Sequence, residues 1–393
     1  MKRARWGLAA AALLVSAAVG YFMPAKRLQW DLKVYMTCAR TLAAGGDPYA
    51  SMPVVDGISY QCIYPPLATD LYRPFAAASS AWEGAGEKAW AGLKVLSLLL
   101  MLWLWRDFLM APGADFPRLL FIAIAYGSPF WSDFRAGNAA SFEHLLIWGG
   151  LAAFVAGKDL LFVALIAASA QPKLLPAAFL ILALARPRPR PLLFLGGAAL
   201  AAALFGLNEA FHPGLLKSYF HQLGDPSQPW RFERGPNNCS MLGFLEHVLE
   251  TATGDRAGAV VRAASLHFVW SGAIAGATAF SLRRTWRGAG SERGKRLASA
   301  LLVAAAYALV IPRLKDYSFI LLIPPTLAAL ESGAPAPLLW TIALLAALNS
   351  TKALGEKLGM GHWAILLGYF KLYAVILVWG VLAFHRKPIK EHS

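Results

Sequence analysis

The longest polar stretch in the N-terminal half of the chain runs from Trp30 to Pro66, between two long apolar runs. It reads Trp30-Asp31-Leu32-Lys33-Val34-Tyr35, then Gly45-Gly46-Asp47-Pro48-Tyr49, then Tyr60-Gln61-Cys62-Ile63-Tyr64-Pro65-Pro66. Charged and turn-forming residues at this density are costly in the hydrocarbon core of a bilayer. The sequence therefore predicts a water-side loop in a chain that is otherwise built for lipid.

Composition indicates a polytopic membrane protein. Hydrophobic residues make up 58% of the 393 positions and charged residues 15%, which is far from a soluble domain. Apolar runs of membrane-spanning length recur along the whole chain. Because these runs show little alternation of apolar and polar residues, we predict an all-α bundle of transmembrane helices.

The net charge of +15 does not indicate a nucleic-acid-binding protein. The basic residues are scattered over many connectors, and no nucleic-acid motif contains them. Lipid headgroups and anionic lipid-linked substrates are the partners that this pattern favours.

We predict about twelve spans within a single domain, residues 1–393, with both termini in the cytoplasm. The short basic connector Arg186-Pro187-Arg188-Pro189-Arg190-Pro191 follows the positive-inside rule. A cleaved signal peptide is the alternative interpretation of the first span. The predicted spans are 6–23, 84–105, 117–132, 139–156, 160–171, 173–185, 192–208, 258–281, 297–312, 317–330, 336–349 and 363–384.

Two long extracytoplasmic loops are expected, at 24–83 and 209–257. In the first, Trp30 to Ala44 has the pattern of an amphipathic helix that ends at Gly45-Gly46. Leu67 to Ala78 is expected to be a second such helix. These helices would lie near the membrane surface.

Segments 160–171 and 173–185 are each shorter than the roughly 20 residues that a crossing needs. Gln171-Pro172-Lys173 stands at the break between them. Two interpretations are open: two helices half-buried in the bundle, or a re-entrant hairpin that lines a cavity.

The three cysteines are Cys38, Cys62 and Cys239, all in segments placed outside the cytoplasm. A Cys62–Cys239 disulfide is one interpretation. The odd number favours the other, in which the cysteines are unpaired small residues, and their spacing matches no metal site.

Asp31 is the candidate catalytic residue, because a carboxylate beside the membrane can act as a general base. Trp30 would shield it, and Tyr35 lies one turn further along the predicted helix. The alternative is a helix N-cap, in which the carboxylate accepts hydrogen bonds from the first-turn amides and is a weaker base.

Lys173, Arg313 and Lys315 stand at the outer ends of predicted spans, where the positive-inside bias disfavours cations. They either snorkel to the interface or bind an anionic ligand. Asp47 follows two glycines, as expected of a turn residue. The polar and aromatic candidates for contacting a sugar or an acceptor are Tyr35, Asp47, Tyr64, Asn138, Asn238 and Asp316.

The sequence lacks the common signatures of soluble cofactors. There is no phosphate-binding loop, dinucleotide fingerprint or serine nucleophile elbow, and the eight histidines show no zinc-ligand spacing. We therefore expect neither a cofactor nor a metal.

Seven short motifs occur in order along the chain: Trp30-Asp31-Leu32-Lys33-Val34-Tyr35, Gly46-Asp47-Pro48-Tyr49, Tyr64-Pro65-Pro66 with Arg73-Pro74, Gly137-Asn138, Gln171-Pro172-Lys173, Asn238-Cys239-Ser240-Met241-Leu242-Gly243 and Pro312-Arg313-Leu314-Lys315-Asp316-Tyr317. In this order they resemble the GT-C superfamily of polytopic glycosyltransferases, and more closely glycosyltransferase family 87. Two differ from the family pattern: Asn138 stands where a Gln is usual, and Leu314-Lys315-Asp316 replaces a usual Trp-His pair.

The resemblance implies a GT-C fold and transfer of a hexose, mannose first, from a polyprenyl-phosphate donor. The acceptor would be a hydroxyl of a lipid or cell-envelope glycan at the outer face of a bacterial inner membrane. In an inverting transfer, Asp31 would take the hydroxyl proton, while Lys173, Arg313 and Lys315 would stabilise the leaving phosphate without a metal.

Two other functions are alternatives. A transporter or flippase of lipid-linked sugars would place ionisable groups near the bilayer midplane, whereas the predicted spans are nearly free of charge. A structural partner would tolerate loss of Asp31. The sequence leaves the sugar, acceptor, linkage and oligomeric state open.

Overall fold

The computed structural model describes residues 29–50, 54–55, 57–109, 121–225, 238–348, 356–357 and 359–385. The predicted first span, 6–23, lies outside these residues. The helices are α1 Trp30–Ala43, α2 Pro66–Asp70, α3 Arg73–Ala81, α4 Ala85–Leu109, α5 Pro129–Ala136, α6 Ala140–Val155, α7 Asp159–Ser169, α8 Pro191–Phe211, α9 Leu215–Gly224, α10 Met241–Thr253, α11 Arg256–Arg287, α12 Glu292–Val310, α13 Ile323–Leu330, α14 Ala336–Ala347 and α15 Phe370–Phe384.

Short 3-10 helices continue or connect several of these elements. They span Ala125–Gly127, Leu175–Ala183, Asp316–Leu322 and Gly361–Tyr369. The described strands, β1 Val54–Val55 and β2 Ile58–Ser59, form a two-residue antiparallel hairpin in which Val55 pairs with Ile58. The predicted all-α fold is confirmed.

Four described helices are long and apolar enough to cross a membrane: Ala85–Arg106, Pro191–Phe211, Arg256–Arg287 and Trp363–Phe384. Shorter apolar helices pack between them, among them α6, α7 and α14. The chain is a membrane protein, and the number of twelve spans stays a prediction. The main hydrophobic core joins α4, α6, α7, α12, α13 and α15.

The break predicted within 160–185 is present. Helix α7 ends at Ser169, and a 3-10 helix follows from Leu175 to Ala183. With 11 residues, α7 is about 16 Å long, roughly half of a hydrocarbon core. Neither segment crosses alone, so Gln171-Pro172-Lys173 lies in irregular backbone between two short helices.

Helix α1, Trp30–Ala43, ends within one residue of its predicted bound at Ala44. Its C-terminus is followed by a glycine cap, as predicted. The Gly45 N–H donates to the Leu42 carbonyl (3.0 Å), and Gly45 has φ +76°, a conformation that glycine adopts without steric cost. Half of the residues of α1 are buried in protein: Tyr35 and Met36 pack on one side, and Val34 and Cys38 on another.

Both interpretations of the cysteines were wrong, because Cys62 is neither bonded to Cys239 nor unpaired. Cys38 on α1 forms a disulfide with Cys62. Cys239 is buried elsewhere, and its backbone N–H donates to the Leu314 carbonyl (2.9 Å). Because Cys62 lies only 24 residues after Cys38, the bond closes the first loop onto the helix that bears Asp31.

Candidate active site

Asp31 lies in the first turn of α1 and does not cap it. The N-cap is Gln29, which has φ 55° and makes no side-chain cap hydrogen bond. The Gln29 N–H instead donates to the Arg135 carbonyl (2.7 Å), which ties the start of α1 to the end of α5. The capping interpretation of Asp31 is therefore wrong, and its carboxylate remains available for other partners.

Asn138 is the partner of that carboxylate. The Asn138 Nδ2 group donates to Asp31 Oδ2 (2.7 Å) and to the Tyr317 hydroxyl (3.3 Å). Its Oδ1 atom accepts from the Tyr64 hydroxyl (3.2 Å). Asn138 is buried, whereas Asp31 is partly exposed. The predicted residues Asp31, Tyr64 and Asn138 thus meet at one point.

Gly137 makes this meeting sterically feasible. It has φ +73°, and a Cβ atom built at this position would lie 2.7 Å from Gln29 Cα. The residue before Asn138 therefore packs directly against the residue that begins α1. Only a residue without a side chain fits here.

We expect Gly137→Ala to destabilise the fold by about 1–3 kcal/mol, because it combines a strained φ with a backbone clash. Gly45→Ala is the matched control: Gly45 has a similar φ of +76°, but no atom lies within 4 Å of its built Cβ. Thermal unfolding in detergent should show a larger loss for Gly137→Ala. Equal losses would mean that the contact with Gln29 contributes nothing.

A cluster of packed aromatic rings lies next to the Asp31 carboxylate on its buried side. The Tyr35 ring stacks on Tyr64 (centroids 4.4 Å apart) and packs against Tyr72 (5.0 Å). Tyr72 packs in turn against Trp90 on α4 (5.0 Å). Burial raises the pKa of the Tyr64 hydroxyl to about 12, so it stays protonated and can donate to Asn138.

Burial also raises the pKa of Asp31 above its ordinary value. The hydrogen bond from Asn138 opposes this shift, as do the nearby cations Lys315 and Lys94, while Asp133 reinforces it. A partly exposed carboxylate with a raised pKa is a better base than a surface aspartate.

Lys173 approaches the same place from the break after α7. Its ammonium pairs with Glu143 Oε2 on α6 (2.7 Å) and lies 5.9 Å from the centre of the Tyr317 ring. The Lys173 side chain is 32% exposed and that of Glu143 7%. A cation of the predicted phosphate-binding set is therefore accessible, with its counter-ion buried behind it.

The segment Pro312 to Tyr317 carries the other two cations, and Asn238 and Ser240 hold it in place. Asn238 Oδ1 accepts from the Leu314 N–H (2.9 Å), and Ser240 Oγ donates to the Pro312 carbonyl (2.8 Å). Arg313 and Lys315 flank Leu314 and are partly exposed. The two distant motifs are thus one structural unit, in which the Asn238 oxygen serves the backbone.

Two other predicted residues bond mainly to protein groups. Asp47 Oδ1 accepts from the N–H groups of Tyr49 (2.8 Å) and Ala50 (3.2 Å). These hydrogen bonds are those of a turn residue, as expected from the two preceding glycines. Asp316 forms an ion pair with Lys371 on α15 (2.7 Å). Both side chains hold the segments on which other site residues lie.

The geometry agrees with a family comparison. The model of glycosyltransferase family 87 matches residues 63–312, more than half of the chain. The protein belongs to glycosyltransferase family 87. The resemblance seen in the sequence is confirmed, although the match begins after Asp31.

Other comparisons are more distant. The structure of ArnT from Cupriavidus metallidurans, bound to undecaprenyl phosphate, is similar with a TM-score of 0.43 and 15% sequence identity. The alignment covers 98% of this chain and 78% of that one. Comparison with curated proteins gives no match.

Sequence reasoning missed several charged residues in and near this candidate site. Glu143 pairs with Lys173, and a buried ion pair joins Lys94 on α4 to Asp133 on α5 (2.8 Å). The expectation that the spans are nearly free of charge does not hold at Lys94, Glu143 and Lys173, which lie within predicted spans. These residues could have been recognised in the sequence as lone charges within apolar runs, because such a charge needs a partner in the bundle.

Proposed function

We propose that this family 87 member transfers a hexose from a polyprenyl-phosphate donor to a hydroxyl of a lipid or cell-envelope glycan. Mannose is the first candidate for the hexose. The reaction inverts the anomeric centre and needs no metal. It takes place at the extracytoplasmic face of a bacterial inner membrane. Both termini are cytoplasmic in this proposal.

The observation that carries the proposal is the Asp31 carboxylate, fixed by Asn138 (2.7 Å) and partly open to the outside. As the acceptor oxygen attacks the anomeric carbon, its proton passes to Asp31. One oriented carboxylate is sufficient for this step. The phosphate leaves as an anion and requires no protonating acid.

The cations Lys173, Arg313 and Lys315 stabilise the departing phosphate. All three are partly exposed. Lys173 faces the Tyr317 ring, and Lys315 interacts electrostatically with Asp31. Fixed charges of this kind act on the negative charge that develops in the transition state. Tyr317 connects the two parts of the proposed site, because Asn138 donates to both its hydroxyl and Asp31 while Lys173 lies over its ring.

The remaining predicted contacts support this arrangement in different ways. Tyr35 and Tyr64 are buried and stack on each other, so in the proposal they support the Asp31 carboxylate from inside the protein. Asp47, Asn238 and Asp316 act in the proposal by holding the segments that line the site.

The Cys38–Cys62 disulfide supports an extracytoplasmic site. Disulfides persist in oxidising compartments such as the periplasm and are rare in the cytoplasm. Because this bond joins α1 to the loop that carries Tyr64, the site lies on the same side of the membrane as the disulfide.

The proposal is tested by incubating the purified protein with a panel of polyprenyl-phosphate sugars and candidate hydroxyl acceptors. We expect sugar transfer from one donor, mannose first, with release of polyprenyl phosphate. Nucleotide sugars should give no product. Transfer from a nucleotide sugar alone would contradict the donor class.

The ion pairs Lys94–Asp133 and Glu143–Lys173 between helical segments favour a second candidate, a flippase of lipid-linked sugars, because transporters place ionisable groups within the bundle. Proteoliposomes distinguish the two. A transferase changes the covalent structure of the donor, whereas a flippase moves an unchanged lipid between leaflets.

We expect transfer to lose activity as the pH falls through a value above 3.8, the ordinary pKa of aspartate, because the base must be ionised. Asn138→Ala removes a hydrogen bond that stabilises the Asp31 anion. The acid limb, the part of the pH–rate profile where activity falls at low pH, should therefore move to higher pH in this variant. The measurement is kcat against pH for both proteins. An acid limb unchanged in Asn138→Ala would show that Asp31 does not set it.

We expect activity to persist in EDTA. Among the residues described, no three His, Cys, Asp or Glu side chains are grouped so that they could hold a metal ion, and cations are present for the phosphate. The measurement is transfer before and after chelation, with Mg²⁺ and Mn²⁺ added back. Strict dependence on either ion would contradict the proposed role of the lysines and arginine.

A further inference from the structure

One face of α4 carries three hydrogen-bond donors near the site. Trp90, Lys94 and Ser97 are four and three residues apart, so they lie on the same side of the helix. All three are buried. Each donates to a backbone carbonyl around the α5–α6 junction: Trp90 Nε1 to Gly137 (3.0 Å), Lys94 Nζ to Asp133, and Ser97 Oγ to Ser141 (3.0 Å).

Lys94 makes a second contact on the same segment. Its ammonium pairs with Asp133 Oδ2 at 2.8 Å, and the two side chains are 1% and 3% exposed. A buried ion pair of this kind contributes little net stability compared with apolar residues of similar size. It does, however, fix one geometry, because both charges lose their partner if the helices shift.

The segment held in this way leads directly to the proposed base. Helix α5 ends at Ala136, and Gly137 and Asn138 follow. Asn138 donates to Asp31, and the Arg135 carbonyl accepts from the Gln29 N–H at the start of α1. A shift of this segment would therefore move both the partner of the carboxylate and the helix that carries it.

We propose that Lys94 and Trp90 are positioning residues of the transferase, which fix the carbonyl groups of residues 133 and 137 and thereby hold Asn138 against Asp31. This inference rests on the proposed function, in which Asp31 is the base. With 1% of its side chain exposed, Lys94 acts through Asn138 and does not contact substrate.

The charges around Asp31 allow this role to be measured by pH. The groups that interact with it are the cations Lys315 and Lys94, the anion Asp133, and the hydroxyls of Tyr35, Tyr64 and Tyr72. Lys94 and Asp133 shift the pKa of Asp31 in opposite directions. Lys94 has the larger effect, so removing both charges shifts the acid limb to some extent by itself. Trp90→Phe changes no charge, so a shifted acid limb in that variant reports the Asn138 hydrogen bond.

The experiment compares Trp90→Phe, the double variant Lys94→Met with Asp133→Leu, and Ser97→Ala in the full-length protein, with polyprenyl-phosphate mannose as donor. The double variant is used because Lys94→Met alone leaves Asp133 buried and unpaired, which endangers folding. Ser97→Ala is the control, since Ser141 lies within α6, beyond Asn138.

We expect kcat to fall by about tenfold to a hundredfold in Trp90→Phe and in the double variant, as misplacement of a catalytic group does. Their acid limbs should move to higher pH, while the KM for the donor stays within about threefold. Ser97→Ala should change kcat by less than about threefold.

Two outcomes overturn the inference. In the first, both test variants keep the wild-type kcat and acid limb while Asp31→Asn is inactive; the base then stands and the positioning role does not. In the second, kcat falls only in proportion to the folded fraction, with an unchanged acid limb. If Asp31→Asn is itself active, the proposed function fails first.

Discussion

Asp31→Asn is expected to reduce sugar transfer by about a thousandfold or more, in line with loss of a general base. The amide has nearly the same shape as the carboxylate. Its oxygen can still accept the hydrogen bond that Asn138 Nδ2 donates to Asp31 in the wild type (2.7 Å). Burial disfavours the Asp31 anion, as its raised pKa shows. The variant should therefore unfold at the same temperature as the wild type or higher.

Asp47→Asn is the matched control for that experiment. Asp47 belongs to the same loop, but its Oδ1 atom accepts from the N–H groups of Tyr49 and Ala50, and an asparagine oxygen can take over both bonds. We expect its activity within about threefold of wild type. Loss of a general base usually lowers the rate by more than about tenfold. If Asp31→Asn kept more than about a tenth of the wild-type activity, Asp31 would not be the base.

Lys173→Met should lower kcat by about a hundredfold to a thousandfold, the usual cost of losing one electrostatic partner of a developing charge. Glu143→Gln is the informative counterpart. It removes the carboxylate that pairs with Lys173 at 2.7 Å but keeps the ammonium, so we expect at least half of the activity to remain. Initial rates at saturating donor concentration measure both.

Folding must be separated from chemistry in this test. Lys173→Met leaves Glu143 buried without its partner, which typically costs about 3–5 kcal/mol. The double variant Lys173→Met with Glu143→Gln avoids that cost and should fold but remain inactive. Recovery of transfer in the double variant would show that Lys173 serves only as a counter-ion for Glu143.

Local physical chemistry accounts for the elements that were predicted correctly. The bounds of α1 follow from its apolar pattern and from Gly45, which takes the left-handed conformation after the helix. The break at Gln171-Pro172-Lys173 follows from a proline within short apolar segments. Each signal lies within a few residues of its consequence.

The pairing of cysteines and charges was not predictable in this way. Cys38 joins Cys62, and Lys94 joins Asp133, 39 residues along the chain. Helical periodicity shows that a buried cation needs a partner but not which helix supplies it. That choice depends on how α4 and α5 pack.

The sequence by itself was enough to identify a bundle of membrane helices with a polar stretch between residues 30 and 66, and to give Asp31, Asn138 and Lys173 as candidates, because hydropathy and turn chemistry act locally. Only the tertiary structure decided that Asn138 holds Asp31 across 107 residues and contacts Tyr317 across 179. Contacts between such distant positions arise from the packing of helices, and no local pattern encodes which faces meet.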